Sequence, residues 1–213
     1  MAFVIDDAFL PATLTAHPMT DDEFALFCGE HPDLSFEMTA EGEIIVMPPT
    51  YSLTGARCLR IGRQLDVWAE KDGRGIACDS STGFLLPNGA RRSPDAAWTL
   101  KARIEQLDPA SRERYWHLCP DFVIELKSAS DRLPALRNKI QEYLANGAQL
   151  GWLIDPESRS ITIFRALQKT TYTVLAVPAV PARMALPSAS PMCVNTSRSN
   201  SSSALPRRLF PSA

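Results

Sequence analysis

Glu125, Leu126 and Lys127 close the most strand-like run in the chain, Asp121–Lys127. Side chains two apart on a strand share a face, so Glu125 and Lys127 stand together with Val123. Ile124 and Leu126 point the other way, under the helix that follows. An acid and a base at the end of an apolar strand are costly to desolvate unless paired or bound to a metal. About 30 residues earlier, Pro94-Asp95 precedes the apolar Ala96-Ala97-Trp98. Pro94 has no N–H to give to a ladder, so the strand bends or bulges there and aims Asp95 outward. The chemistry open to such residues is carboxylate binding of a metal beside a lysine. Taken singly, each feature is weak: an E-x-K run is more often a solvated edge, and Pro-Asp more often a turn. Their order, with the second at the head of a strand–helix unit, carries more.

Other chemistries lack their residues. No GxxxxGK[ST] loop and no GxGxxG after a strand is present, and GxSxG is missing. His17, His31 and His117 are far apart, which removes the usual zinc and triad arrangements. The cysteines at 28, 58, 78, 119 and 193 are odd in number and form no CxxC pair, which suits a reducing cytoplasm. The start, MAFVIDDAFLPATL, has acids where an export signal would have base, and no apolar run approaches the roughly 20 residues of a membrane helix.

Charge is unevenly spread. The 213 residues carry 22 Lys and Arg against 24 Asp and Glu, a net −2. Arg183, Arg198, Arg207 and Arg208 fall in 179–213 with no acid, so this stretch holds +4 and the first 178 residues hold 18 bases against 24 acids, or −6. An acidic body speaks against a protein that coats nucleic acid, because phosphate contacts rest on clustered bases. It leaves room for an enzyme whose acids surround a metal.

The elements that must position Asp95, Glu125 and Lys127 follow from patterning. Thr20-x-x-Glu23 is a capping box opening a short helix through Phe27. Ser35–Thr39 and Glu43–Met47 read as a hairpin around Ala40-Glu41-Gly42. Leu53, Ala56, Ile61, Leu65 and Trp68 recur at helical spacing from Tyr51 to about Lys71, with Gly73 and Gly75 as the stop. Gly75–Ser80, Gly83–Leu86 and Arg92–Trp98 are short strands, and Pro109–Arg114 a short helix. Asp121–Lys127, a helix over Leu136–Asn146 and the strand Gln149–Ile154 have the length of a βαβ unit. Strands over Ser160–Arg165 and Thr171–Val177 complete the sheet. The predicted class is α/β (α+β): a mixed sheet flanked by helices over 19–178, after an N-terminal extension at 1–18. Residues 179–213, with eight Ser and five Pro, form a Ser/Pro/Arg-rich tail that cannot offset its ordering entropy and is expected to be disordered.

MTDDEF at 19–24, FEMTAEGEIIVMPP at 36–49, SPDAAW at 93–98, PDFVIELKSASDRLPALRNKIQEYLANG at 120–147 and WLIDP at 152–156 together resemble the bacterial Uma-type restriction endonucleases, within the PD-(D/E)xK nuclease superfamily. The resemblance spans roughly 19–177 and rests on several motifs in the correct order. It implies a restriction-endonuclease-like fold and a magnesium-dependent phosphodiesterase site acting on DNA, with manganese as the other candidate metal. Asp95 then matches the motif aspartate and Glu125 the motif acid, both as metal ligands. Lys127 falls at the lysine position, which many relatives fill with another residue such as serine. Glu37, in the first hairpin, is a further acid for the site. Lys139 and Tyr143, at i,i+4 on the next helix, share a face and could hold a phosphate or orient the site. The tail departs from the family pattern, whose members close on a short apolar ending.

The chemistry so implied places Mg²⁺ on Asp95 and Glu125 and uses the Lys127 ammonium to orient water or stabilise charge. Arg57, Arg60, Arg63, Arg91 and Arg92 are the candidate phosphate contacts. Cutting both strands of a duplex needs two sites and so points to a homodimer. Two alternatives stay open: a catalytically silent module of the same fold that binds DNA or a protein partner, and a metal-dependent hydrolase acting on another phosphorylated substrate.

Overall fold

The computed structural model describes residues 12–15, 19–165 and 168–173. His17, Cys193 and the stretch expected to be a tail from 179 onward lie outside the described residues. In chain order the elements begin with strand β1 (Ala12–Thr15), helix α1 (Asp21–Glu30), β2 (Ser35–Met38), β3 (Glu43–Met47) and the long helix α2 (Ser52–Asp72). Four strands follow: β4 (Gly75–Asp79), β5 (Phe84–Leu85), β6 (Arg91–Arg92) and β7 (Ala96–Leu100). After the short helices α3 (Lys101–Ile104) and α4 (Pro109–Arg112) come β8 (Phe122–Leu126), α5 (Leu133–Ala145), β9 (Leu150–Asp155), β10 (Ser160–Arg165) and β11 (Gln168–Thr173).

The strands form two sheets rather than the single one expected: β1-β3-β2-β6-β5, and a mixed six-stranded sheet β11-β10-β9-β8-β7-β4. The expected capping box forms at Thr20 and Glu23. The expected hairpin pairs β2 with β3 antiparallel, and Gly42 takes the left-handed turn position at φ 89°. β1, inside the stretch read as an extension, pairs with β3. The strand expected over Arg92–Trp98 is two strands in different sheets. Ser93-Pro94-Asp95 carries the chain between them, because Pro94 cannot continue a ladder.

In the second sheet β8 is central and buried throughout, antiparallel to β7 and parallel to β9 through the α5 crossover. α2 covers one face, where Ile61, Leu65 and Trp68 join Ile124, Leu126 and Trp152. α5 covers the other, where Ile140 and Tyr143 join Val123, Leu153 and Phe164. Leu126 therefore lies under α2, not under the helix that follows it as expected: α5 crosses on the side of Val123 and Glu125. Leu53, 72% exposed, and the exposed Ala56 depart from their expected core role. The inward stripe of α2 runs through Thr54, Ile61, Leu65 and Trp68, and Leu53 and Ala56 are offset from it around the helix.

Candidate active site

Asp95 is delivered by the crossing between the sheets, Glu125 by the last turn of pleat in β8, and Glu37 by β2. Both oxygens of Asp95 are held: Leu126 N–H donates to Oδ2 at 2.6 Å and the Cys58 thiol, from α2, to Oδ1 at 3.6 Å. Glu125 is 3% exposed, although its E-x-K context favours a solvated edge. α5 brings Lys139 over the same spot. Its Nζ lies 2.8 Å from Glu125 Oε1 and 2.7 Å from Glu37 Oε1, and it donates to the Ser93 carbonyl at 3.2 Å. The Glu125 contact is an ion pair off the line of a hydrogen bond, so the buried Oε1 accepts none. Arg92 reaches Glu37 Oε2 at 3.1 Å and Glu142 Oε2 at 2.6 Å, and Ser93 N–H donates to Glu37 Oε1 at 2.9 Å. Tyr143 is buried beneath these groups with its hydroxyl unbonded.

Lys127 goes elsewhere. β8 has ended at Leu126, and Lys127 Nζ pairs with Glu157 at 3.1 Å. A cleft of about 410 Å³ opens against Asp95, Glu125 and Lys139, and Lys127, Glu37 and Tyr143 are not among its lining residues.

Burial sets the charge states, and neighbours correct it. Glu125 is pushed up to about 8 by burial and by the Asp95 and Glu37 charges, against the opposing Lys139. Asp95 is also raised, by burial, despite its hydrogen bonds and Lys139. Burial would raise Glu37 as well, but Lys139, Arg92 and the Ser93 N–H hold it below the usual carboxylate value. Burial would discharge Lys139, yet Glu125 and Glu37 keep it raised and charged. Tyr143 is driven well above its ordinary value by burial and the two glutamates.

Four acids (Glu37, Asp95, Glu125, Glu142) thus meet two cations (Arg92, Lys139), and a proton held at Glu125 relieves part of the imbalance. Among the described residues no group of three or more His, Cys, Asp or Glu converges as a metal cage. Two oxygen-donor carboxylates at one cleft are nonetheless the donor set that suits Mg²⁺, which keeps most of its waters. The residues fit a hard divalent ion and do not fit a structural zinc.

Arg91 and Arg92 do not serve as free phosphate contacts as expected: both are buried, and Arg91 is taken by Asp21 at 2.7 Å, the Met19 carbonyl and the Phe24 ring. Arg57, Arg60 and Arg63 are exposed on α2. Cys58, Glu142 and Thr54 were not singled out from the sequence. Glu142 stands at i+3 from Lys139 and was legible on that ground; Cys58 and Thr54 carry no sequence signal.

A mixed α/β fold with two acids and a lysine converging on one cleft defines the class. The chain belongs to the Uma2 family, described as "Putative restriction endonuclease", whose family model matches residues 21–193 and so runs past 178. The fold is similar to that of a crystal structure described as a "putative nuclease belonging to DUF820" from Anabaena variabilis ATCC 29413. The likeness has a TM-score of 0.62 at 23% identity and covers 78% of this chain and 90% of that one. No curated protein matches the chain. Among the described residues, no helix is long and apolar enough to cross a membrane.

Proposed function

We propose that the protein is an endonuclease that hydrolyses DNA phosphodiester bonds with Mg²⁺, or Mn²⁺ in its place, held by Asp95 and Glu125. The observation that carries this reading is the pair of buried carboxylates on one cleft, both with raised pKa values, whose ionised forms a divalent cation would balance in place of a proton. When bound, the ion supplies Lewis-acid charge at the phosphoryl group and a more acidic water. Lys139, kept charged by Glu37 and Glu125, presents its ammonium to the cleft and stabilises the negative charge that develops on the phosphoryl oxygens. Glu37, gripped by Arg92 and Ser93, fixes where that ammonium sits. Tyr143 is a positioning group beneath them. Lys127 stands outside this machinery, because its Nζ is with Glu157 and it does not line the cleft. Exposed Arg57, Arg60 and Arg63 contact backbone phosphates. A homodimer goes with a cut on both strands, and a cytoplasmic setting goes with the free thiols of Cys28, Cys58, Cys78 and Cys119.

Plasmid cleavage with Mg²⁺ tests the reading. Asp95→Ala and Glu125→Ala are expected to abolish cleavage, Lys139→Met to slow it by about a hundredfold, and Lys127→Ala to leave it within a few-fold, all with wild-type near-UV CD. Cleavage that survives EDTA or both acid substitutions would overturn it. A folded wild type that cuts nothing and binds no Mg²⁺ would point to the silent binding module instead.

A further inference from the structure

Tyr51 and Thr54, at the start of α2, line the same cleft as the acids, but this helix end has a different character. Its first helical hydrogen bond runs from Gly55 N–H to the Tyr51 carbonyl at 2.9 Å, so the N–H groups of Ser52, Leu53 and Thr54 have no partner within the helix. Tyr51 offers no side-chain cap, and the first turn contains no acid. A 21-residue helix adds the positive end of its dipole here.

A second observation points to a ligand. Thr54 is 7% exposed and lines the cleft together with Asp95 and Glu125. A helical threonine often bonds the carbonyl one turn back, and the Thr54 hydroxyl, unlike the fully enclosed Thr99 Oγ1, keeps an opening to the cleft. Among the described residues, the Thr54 hydroxyl makes no such bond: it has no hydrogen-bond partner. Thr54 also stands four residues, about 6 Å along the axis, before Cys58, whose thiol touches Asp95. Thr54 and the candidate metal ligands Asp95 and Glu125 therefore line one cleft, with the free N–H groups of the first turn at its edge.

We propose that the Ser52–Thr54 turn is a phosphate-binding subsite: its three N–H groups and the Thr54 hydroxyl grip a backbone phosphate of the nucleic acid, at or next to the bond to be cut. The inference rests on the nuclease reading above for the source of that phosphate. It also answers a physical difficulty of that reading. Before any metal is bound, the Lys139 ammonium in this cleft is largely spent on Glu37 and Glu125, and this turn adds a part of the wall that attracts a phosphodiester.

Two substitutions remove donors without removing the helix. Thr54→Val keeps the shape and deletes the hydroxyl. Ser52→Pro deletes one N–H at the first helical position, where proline is at home, and Tyr51 at φ −55° and ψ 142° already has the conformation that precedes a proline. The probes are a fluorescent DNA duplex, titrated by anisotropy with Ca²⁺ in place of Mg²⁺, and inorganic phosphate, titrated by calorimetry. Thr54→Val is expected to weaken both by about tenfold and Ser52→Pro by about threefold, with Thr54→Ser close to wild type. Mg²⁺ binding by calorimetry should be the same in all four proteins, which separates loss of this subsite from damage to Asp95 and Glu125. Equal affinity of wild type, Thr54→Val and Ser52→Pro for both probes would overturn the inference, as would a wild type that binds neither. A wild type that binds inorganic phosphate in a Thr54-dependent way but no duplex would uphold the subsite and sink the nucleic-acid reading.

Discussion

Lys139 touches two glutamates, yet their carboxyls move in opposite directions. Glu37 has Arg92 and the Ser93 N–H as further partners and stays ionised, whereas Glu125 has the Asp95 and Glu37 charges near it and is pushed up to about 8. From the ordinary value of 4.5 up to about 8, the folded protein without metal therefore holds a proton at Glu125 that the unfolded chain has released. More protons bound in the folded state means that stability falls as pH rises. The contribution is fully present below about pH 4.5 and is lost by about pH 8. The metal-free protein should lose several degrees of Tm between pH 5 and 8, Glu125→Gln should flatten that slope, and Mg²⁺ should restore stability at the alkaline end as it replaces the proton. Thermal melts across this range, with and without Mg²⁺, check it. A wild type and a Glu125→Gln variant with parallel profiles would show that Glu125 ionises normally. Asp95 and Glu125 were legible in the sequence because Pro94 and the strand pattern around Glu125 single them out. Lys127 was singled out by the same strand logic, but a strand that ends one residue early frees the next side chain. The lysine that meets the acids comes from α5, and no local spacing ties it to them.

Strand patterning showed the β8 strand and the strand–helix–strand unit around it, since its apolar run and the Asn146-Gly147 stop are local signals, but not that Glu125 would be buried in it. Which helix covers which face is a long-range matter, and it decided where Leu126 and Lys139 lie. The close seat of α5 depends on Gly151 in β9. A Cβ there would come within 2.6 Å of Ile140 Cγ2 and 3.3 Å of its Cδ1. Ile140 is fully buried and adjoins Lys139, so it has little room to yield. Gly151→Ala should therefore push α5 outward, cost about 1–3 kcal/mol in denaturant unfolding, and weaken Mg²⁺ binding as Lys139 shifts against Glu125. Adding Ile140→Val, which removes the Cδ1 methyl and leaves a smaller side chain to repack, should recover part of the loss. A double variant no better than the sum of its parts would show that the two positions are not coupled.

Across the whole molecule, the first 178 residues hold −6, and some of their bases are not free to meet a phosphate. Arg91, Arg92 and Lys139 are buried or half-buried in ion pairs with Asp21, Glu37, Glu125 and Glu142. A duplex approaching the body meets Arg57, Arg60 and Arg63 together on α2, and elsewhere exposed bases such as Lys71, Arg74, Lys101, Arg112, Arg114 and Arg159 scattered among a larger number of acids. Arg198, Arg207 and Arg208 lie past residue 193, where the family match ends. On charge alone these three arginines should supply a large share of the attraction that brings DNA to an acidic protein, independent of base sequence. A chain ending at Cys193 should keep its Mg²⁺ affinity and its cleavage rate at saturating DNA. Its DNA affinity at low salt should drop, and the slope of log affinity against log salt should become shallower by up to about 3, at roughly 0.9 for each phosphate no longer neutralised. Anisotropy titrations from about 50 to 200 mM salt, a range over which phosphate binding weakens steeply, check it. An unchanged slope would mean that the terminal arginines meet no phosphate, and that α2 alone, through its exposed arginines and its first turn, holds the nucleic acid against the charge of the body.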